Sequence, residues 1–302
     1  MTTISGNEQQ QQHLELEEVE TLCKNALLAS GLNPSSTSVI TEVVTTAERD
    51  GCHSHGLFRI PGYCRALRSG KVNGTVQPIV HDVAPGVVKV DAGGSYAPPA
   101  ILAGRDLAIQ KARTNGISCL CIRNSFHYAA LWWEVEALAN QGIVSLAFVN
   151  ARSYVAHQPG GKRKLYGTNP MAFGFPRASN ASKNSGDDNE TIGGPLVWDQ
   201  ASAAMARGEI QLCQRDGHTI PEGVAIDKDG QPTTSPDAAL VSFIANGKHS
   251  FESRLECMSL RIYAWPSNTY SLLSYTLDIL YYIVHRKEHS YPLVATRVLP
   301  LQ

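Results

Sequence analysis

The residues most capable of chemistry are concentrated at positions 49–59, which read RDGCHSHGLFR. Two histidines, one serine and two arginines stand within these eleven residues, directly after a predicted helix end. A histidine can donate a proton near neutral pH, and an adjacent serine can position that proton. An arginine guanidinium can hold a carboxylate through two parallel hydrogen bonds. The segment predicts a proton-transfer and carboxylate-binding loop, although a solvated polar turn fits its composition equally well.

Three later clusters allow both a chemical and a structural interpretation. Residues 124–131, NSFHYAAL, follow a predicted strand and open a predicted helix, so their N–H groups suit either a cofactor phosphate or a plain helix cap. Thr168, in the turn Tyr166–Pro170, could bond a carboxylate or belong to an ordinary turn. Asp199 ends an apolar strand, where it could orient a histidine or cap the next helix with help from Ser202.

Two common nucleotide-binding fingerprints are missing from the sequence. A GxGxxG pattern after a strand does not occur, because the pairs Gly93–Gly94 and Gly160–Gly161 lack the remaining positions. A Walker-type phosphate loop does not occur either. The usual Rossmann dinucleotide fold is therefore not supported.

The elements that must position these residues alternate between helices and strands. The pattern predicts a helix from Leu16 that Gly31 ends, and a second helix that Ser35 or Ser36 caps and Gly51 ends. An amphipathic stretch follows at 60–67. From about residue 85 the pattern predicts an α/β layer architecture with helices at 98–116 and 129–139, and strands at 117–122, 143–149, 171–175 and 196–198.

Composition places the chain among globular proteins. Of its 302 residues, 43% are hydrophobic and 18% charged, and the net charge of −1 offers no basic face for nucleic acid. No apolar run reaches the length of a membrane span, and the polar N-terminus lacks a secretory signal. The seven cysteines form no CxxC pair, which predicts neither a zinc site nor a disulfide framework. We therefore expect a cytoplasmic protein with reduced thiols and no metal.

Taken together, the four clusters resemble the malate/L-lactate dehydrogenase-like family of NAD(P)-dependent oxidoreductases, which do not use the Rossmann fold. The resemblance runs from about Leu16 to Ala245. It is carried by SHGLFRIPGYCRALRSGKVNG, NSFHYAALWWEVEALANQGIVSLAFVN, GTNPMAFGFP and IPEGVAIDKDGQPTTSPDAAL. Within the family, the first two stretches look most like the Δ1-piperideine-2-carboxylate/Δ1-pyrroline-2-carboxylate reductases. Those enzymes use NADPH to form L-pipecolate or L-proline, in lysine degradation and proline metabolism.

The resemblance implies a role for each cluster. His55 would be the proton donor, with Ser54 and Asp199 in its relay. Arg59 would hold the carboxylate of a small imino or oxo acid, helped by Thr168. NADPH is the implied cofactor, with NADH as an alternative, and the implied assembly is a homodimer. The implied cofactor contacts are His127, Tyr128, Ala129, Ala130 and Leu131.

The resemblance divides the chain into three parts: an N-terminal helical segment at 1–84, an NADPH-binding α/β domain at 85–245, and a tail at 246–302 that does not match. The family continues differently after about residue 245, so we expect the family's C-terminal part to be truncated or replaced here, for example by a retained intron. Two other functions stay open. One is an NAD-dependent dehydrogenase of malate, lactate or ureidoglycolate. The other is a catalytically inactive product that keeps the cofactor domain but lacks the family's C-terminal part, on which the homodimer would depend.

Overall fold

A computed structural model describes residues 13–156, 162–177, 194–239, 241–243 and 280–285. The N-terminal segment forms three helices, α1 at Leu16–Ala29, α2 at Pro34–Arg49 and α3 at Ile60–Arg68. Their apolar faces pack into one core around Leu27, Val44 and Tyr96. The predicted cap of α2 was wrong: the side chain of Asn33 accepts the Ser36 amide at 2.9 Å. Pro34 stands at the first helical position, so the helix begins before Ser35.

A seven-stranded mixed sheet forms the centre of the molecule, with the order β1-β2-β3-β10-β4-β6-β7. Only β2 and β3 run parallel, and every other neighbouring pair is antiparallel. The strands are β1 Ile79–Ala84, β2 Val87–Asp91, β3 Ile117–Arg123, β4 Ile143–Phe148, β6 Met171–Phe175, β7 Leu196–Gln200 and β10 Leu280–His285. The non-Rossmann α/β fold that the sequence predicted is confirmed.

The helix α4, at Ala97–Asn115, connects the parallel strands β2 and β3 and packs across them. Gly104 permits this close approach, because a β-carbon there would come within 2.6 Å of both Leu120 and Val90. A shorter helix, α5 at Trp132–Ala139, packs against β4 and β6. The sequence predicted that this helix would begin at Ala129. That prediction was wrong, because Ala129 has a left-handed backbone with φ of 62° and cannot continue a helix.

A smaller, three-stranded sheet with the order β5-β9-β8 lies outside the main sheet. Its strands are β5 Val155–Ala156, β8 Ala225–Ile226 and β9 Val241–Phe243. The helix α6, at Arg207–Asp216, precedes β8 and packs against the loop between α2 and α3. The sequence analysis predicted neither α6 nor this sheet.

The predicted tail at 246–302 is described only at β10, which inserts between β3 and β4 and is antiparallel to both. Residues 1–12 and most of the polar loop predicted at 177–194 also lie outside the described residues. Within the described part of the chain, no helix is both long and apolar enough to cross a bilayer.

Candidate active site

The loop between α2 and α3 consists of two short 3-10 turns, His53–His55 and Leu57–Arg59. The hydroxyl oxygen of Ser54 lies 3.0 Å from Nδ1 of His55, and the thiol of Cys52 lies 3.5 Å from the same atom. Arg59 folds back so that its Nε donates to the main-chain carbonyl of Ser54. The structure therefore joins Ser54, His55 and Arg59 in one hydrogen-bonded cluster.

Burial and like charge dominate the electrostatics of this cluster. Burial of the imidazole, with a further contribution from the Arg59 guanidinium, lowers the pKa of His55 to about 3. Burial also lowers the pKa of Arg59, and the nearby charge of Arg207 acts in the same direction. His55 is therefore neutral at pH 7, and Arg59 carries the positive charge.

His127 brings the second cluster to the first. Its Nδ1 accepts the backbone N–H of Ala129 at 3.1 Å, and the hydroxyl oxygen of Tyr63, on α3, lies 2.8 Å from the same nitrogen. Because Nδ1 is an acceptor, we assign the ring proton to Nε2. Burial, followed by the charges of Arg59 and His55, holds the pKa of His127 well below its usual range. Tyr63 of the helical segment and His127 of the loop after β3 thus meet beside the cluster of Ser54, His55 and Arg59.

Backbone strain marks the same segments. Among the described residues, the non-glycine residues with positive φ are Asn124, Ala129 and Asn169. Two of them lie in the predicted cofactor loop at 124–131, and the third lies in the turn that contains Thr168. Such conformations cost about 1–3 kcal/mol each and cluster at ligand-binding sites. The strain therefore falls on two of the segments that the sequence predicted to bind ligands.

The predicted cofactor residues differ in accessibility. The side chains of Ala129, Ala130 and Leu131 are buried, with at most 8% of their surface exposed. Tyr128 packs partly against the main core, and its hydroxyl accepts a hydrogen bond from Ser125 at 2.6 Å. The Nε2–H of His127 makes no hydrogen bond to another described residue, so it can donate to a ligand.

Asp199 lies at the opposite end of the same loop. Its Oδ2 accepts the backbone N–H groups of Leu131 and Trp132, each at 2.9 Å, and so fixes the start of α5. Burial raises the pKa of Asp199 to about 6, and these two N–H donors oppose the shift. The anion site that the sequence offered to a cofactor phosphate is thus filled by this carboxylate. Asp199 makes no hydrogen bond to His55 in the described structure.

Thr168 lies on a different wall of the site from Arg59. It lines a cavity of about 210 Å³, together with Arg207, whose guanidinium stacks 4.1 Å from the ring centre of Tyr154. The structure shows no hydrogen bond between Thr168 and Arg59. Arg207 connects the two regions, because it borders the cavity and also lowers the pKa of Arg59. The cavity is further lined by Lys164, Ile210, Gln211, Gln214, Pro236, Asp237 and Ala239.

The packing of α6 against the loop that carries His55 was not predicted from the sequence. Gly208, in its first turn, lies so close to the site loop that a β-carbon would overlap the Arg59 guanidinium and contact Ser54. The sequence signal for the start of α6 was Glu209. In the structure its carboxylate accepts the Ala206 amide at 3.1 Å and so caps the helix. No group of three or more histidine, cysteine or acidic side chains in the described ranges could hold a metal ion.

Comparisons with known proteins show which sequences and folds this chain is similar to. The family model for malate/L-lactate dehydrogenase matches residues 14–249. A Δ1-pyrroline-2-carboxylate/Δ1-piperideine-2-carboxylate reductase from Pseudomonas syringae pv. tomato is 43% identical over 219 residues, which are 72% of this chain and 60% of that protein. The reductase of the same name from Pseudomonas putida is 44% identical over 224 residues, 74% of this chain and 61% of the relative. The match thus spans about three fifths of these relatives.

Solved structures show the same fold. The crystal structure of Δ1-piperideine-2-carboxylate reductase from Pseudomonas syringae superposes with a TM-score of 0.70 at 35% identity, over 91% of this chain and 82% of that one. A dehydrogenase from Sinorhizobium meliloti superposes with a TM-score of 0.71 at 23% identity, over 90% of this chain and 79% of that one. At that lower identity the likeness supports the fold alone.

Proposed function

This chain belongs to the malate/L-lactate dehydrogenase family, and on that premise we propose that it is an NADPH-dependent reductase of cyclic 2-imino acids. The convergence of neutral His55, cationic Arg59 and neutral His127 at one place carries the proposal. The relatives' names supply the substrate class, Δ1-piperideine-2-carboxylate and Δ1-pyrroline-2-carboxylate.

Arg59 would bind the substrate carboxylate. Its Nε already donates to the Ser54 carbonyl, which leaves the terminal guanidinium nitrogens for two parallel hydrogen bonds to the carboxylate. Thr168 and Arg207 line the neighbouring cavity. They would contact the ring of the cyclic imino acid. In this proposal Arg59 binds the carboxylate, and the cavity lined by Thr168 and Arg207 binds the rest of the substrate.

His55 would supply the proton. Ser54 engages Nδ1, and no described residue hydrogen-bonds to Nε2, so Nε2 would deliver the proton to the imine nitrogen. Burial and then the charge of Arg59 lower the pKa of His55, and a bound carboxylate would offset that charge. Substrate binding would therefore raise that pKa and make protonation of His55 less costly.

We place the nicotinamide cofactor at the loop after β3, because His127 in that loop contacts Tyr63 of the helical segment that carries His55. His127 would hold the cofactor through Nε2–H, and the strained backbone at Ala129 would fix its position. When bound, the reduced nicotinamide supplies the hydride for the imine carbon. The buried Ala130 and Leu131 beneath would help to exclude water.

Steady-state kinetics tests the proposal. We expect oxidation of NADPH with Δ1-piperideine-2-carboxylate to have a higher kcat/KM than oxidation of malate or lactate with NAD. A parallel assay with NADH measures the cofactor preference. Faster turnover of malate than of the imine would overturn the substrate class, and no turnover with any pair would overturn the activity.

We also propose that the chain acts as a homodimer in the cytoplasm. None of the six cysteines among the described residues forms a disulfide bond, as expected in a reducing compartment. Light scattering on the purified chain tests the assembly, and a monomer across micromolar concentrations would contradict it. Subcellular fractionation tests the compartment.

A further inference from the structure

Glu48, in the last turn of α2, bonds to both sides of the loop that carries His55. Its Oε1 accepts the backbone N–H of Leu57 at 2.6 Å, and its Oε2 lies 2.7 Å from Nδ1 of His53. Only 17% of the Glu48 side chain is exposed. One carboxylate therefore bridges the residue two positions before His55 and the residue two positions after it.

The backbone of the loop lies directly on this carboxylate. A β-carbon at Gly56 would overlap the Oε1, Cδ and Cγ atoms of Glu48. The φ of Gly56 is −86° and its ψ is −142°, a combination outside the regions that other residues favour, so both space and backbone conformation require glycine here. The fit of Gly56 against Glu48 is what allows the carboxylate to reach the Leu57 amide.

We propose that Glu48 is a positioning residue, which acts as a two-sided bridge that holds the 53–59 loop against α2 and so places His55 and Arg59 for substrate. The inference deepens the proposed function and rests on it for the roles of those two residues. Arg59 is only two residues beyond the bridged amide, and it closes the loop through its bond to the Ser54 carbonyl. Release of the bridge would loosen both functional side chains together.

A simple effect of charge is the competing explanation. Glu48 carries a negative charge near His53 and Arg215, and it raises the pKa of Arg215. The titratable or charged groups that face His55 itself are Cys52, Arg59 and His127. A bridge depends on the reach and acceptor capacity of the side chain, whereas a charge effect depends on the negative charge alone.

Three substitutions separate these explanations. Glu48→Gln keeps the length and an oxygen acceptor for Leu57 but removes the charge. Glu48→Asp keeps the charge but is one methylene too short to reach both partners. Glu48→Ala removes the bridge entirely. The matched controls are Glu42→Gln and Glu42→Ala on the same helix, where the carboxylate accepts only the Trp133 indole N–H at 3.2 Å.

The first readout is the titration of His55 by NMR, which needs neither cofactor nor turnover. We expect the pKa to stay near the wild-type value in Glu48→Gln and in both Glu42 variants. In Glu48→Ala and Glu48→Asp it should rise toward the ordinary histidine value, because a released loop lets water reach the imidazole.

The second readout is kinetic. In Glu48→Ala we expect kcat/KM for the imine to fall by about 10²-fold, the scale of a 1 Å misplacement, with the NADPH Kd within about twofold of wild type. A wild-type-like Glu48→Asp beside a defective Glu48→Gln would overturn the bridge in favour of charge. An unchanged His55 titration in Glu48→Ala would overturn it outright. Wild-type protein without imine turnover would refute the proposed function, while the titration would still test the bridge.

Discussion

Gly208 lies against Arg59 so closely that a β-carbon at position 208 would overlap the guanidinium. The first turn of α6 is thus the wall behind the proposed carboxylate-binding group. A larger side chain at position 208 would displace the Arg59 guanidinium from its present position.

The first prediction follows from that contact. Gly208→Ala should push the Arg59 guanidinium out of place, raise the KM for the imine, and lower the free energy of unfolding by about 1–3 kcal/mol, the usual cost of overpacking. Gly62→Ala on α3 is the matched control, because a β-carbon there meets no atom within 4 Å. Steady-state kinetics and urea unfolding measure both effects, and equal behaviour of the two variants would refute the prediction.

The second prediction concerns the proton donor. His55→Ala should lower kcat by about 10²-fold, the usual scale for loss of a general acid, and leave NADPH binding nearly unchanged. His81→Ala, on the exposed edge strand β1, provides the control and should retain wild-type kinetics. Near-wild-type turnover in the His55 variant would end the assignment.

The third prediction concerns carboxylate recognition. Arg59→Lys keeps a positive charge but cannot form two parallel hydrogen bonds to a carboxylate. We expect the KM for the imino acid to rise by about 10- to 150-fold, since one lost hydrogen bond to a charged group costs about 1.5–3 kcal/mol. Fluorescence titration should show little change in NADPH affinity. Equal losses for both ligands would indicate a structural role instead.

The fourth prediction concerns Asp199 and pH. Its pKa in the folded protein is raised to about 6, so its ionised form is less stable in the fold than in the unfolded chain. Folding stability should therefore fall as the pH rises from about 4 to about 6. Asp199→Asn removes this titration while keeping an oxygen that can accept the two amides. The difference in unfolding free energy, variant minus wild type, should grow by about 2.4 kcal/mol from pH 4 to pH 7.

Urea unfolding at the two pH values measures this difference. The control is Asp106→Asn, at a side chain that is 87% exposed. If the difference between Asp199→Asn and wild type does not depend on pH, ionisation of the buried Asp199 carboxyl does not lower the free energy of unfolding, and the prediction is wrong.

Local patterns predicted much of the fold. The N-terminal helices and α4 followed from apolar spacing with proline and glycine at their ends, and β3, β4, β6 and β7 followed from short apolar runs. The start of α5 did not follow. Ala129 is a strong helix former in isolation, but a hydrogen bond to the side chain of His127 helps to hold it in a left-handed conformation.

The candidate site was predictable residue by residue only through the family resemblance. The sequence grouped Ser54, His55 and Arg59 because they are neighbours in one loop. It could not show that His127 approaches them, because that approach depends on how α3 packs on the loop after β3. Nor could it show that Asp199 bonds the start of α5, a contact between distant strands and helices. Spatial convergence of this kind leaves no local signal.

The position of β10 has a consequence for how the chain folds. Both neighbours of this strand come from the first half of the sequence, so the centre of the sheet has a high contact order. During synthesis, β3 and β4 leave the ribosome long before residues 280–285, and their facing edges lack this partner in the meantime. Unpaired strand edges recruit other chains. We therefore expect slow closure of the sheet after translation, and a nascent chain that depends on chaperones until β10 inserts.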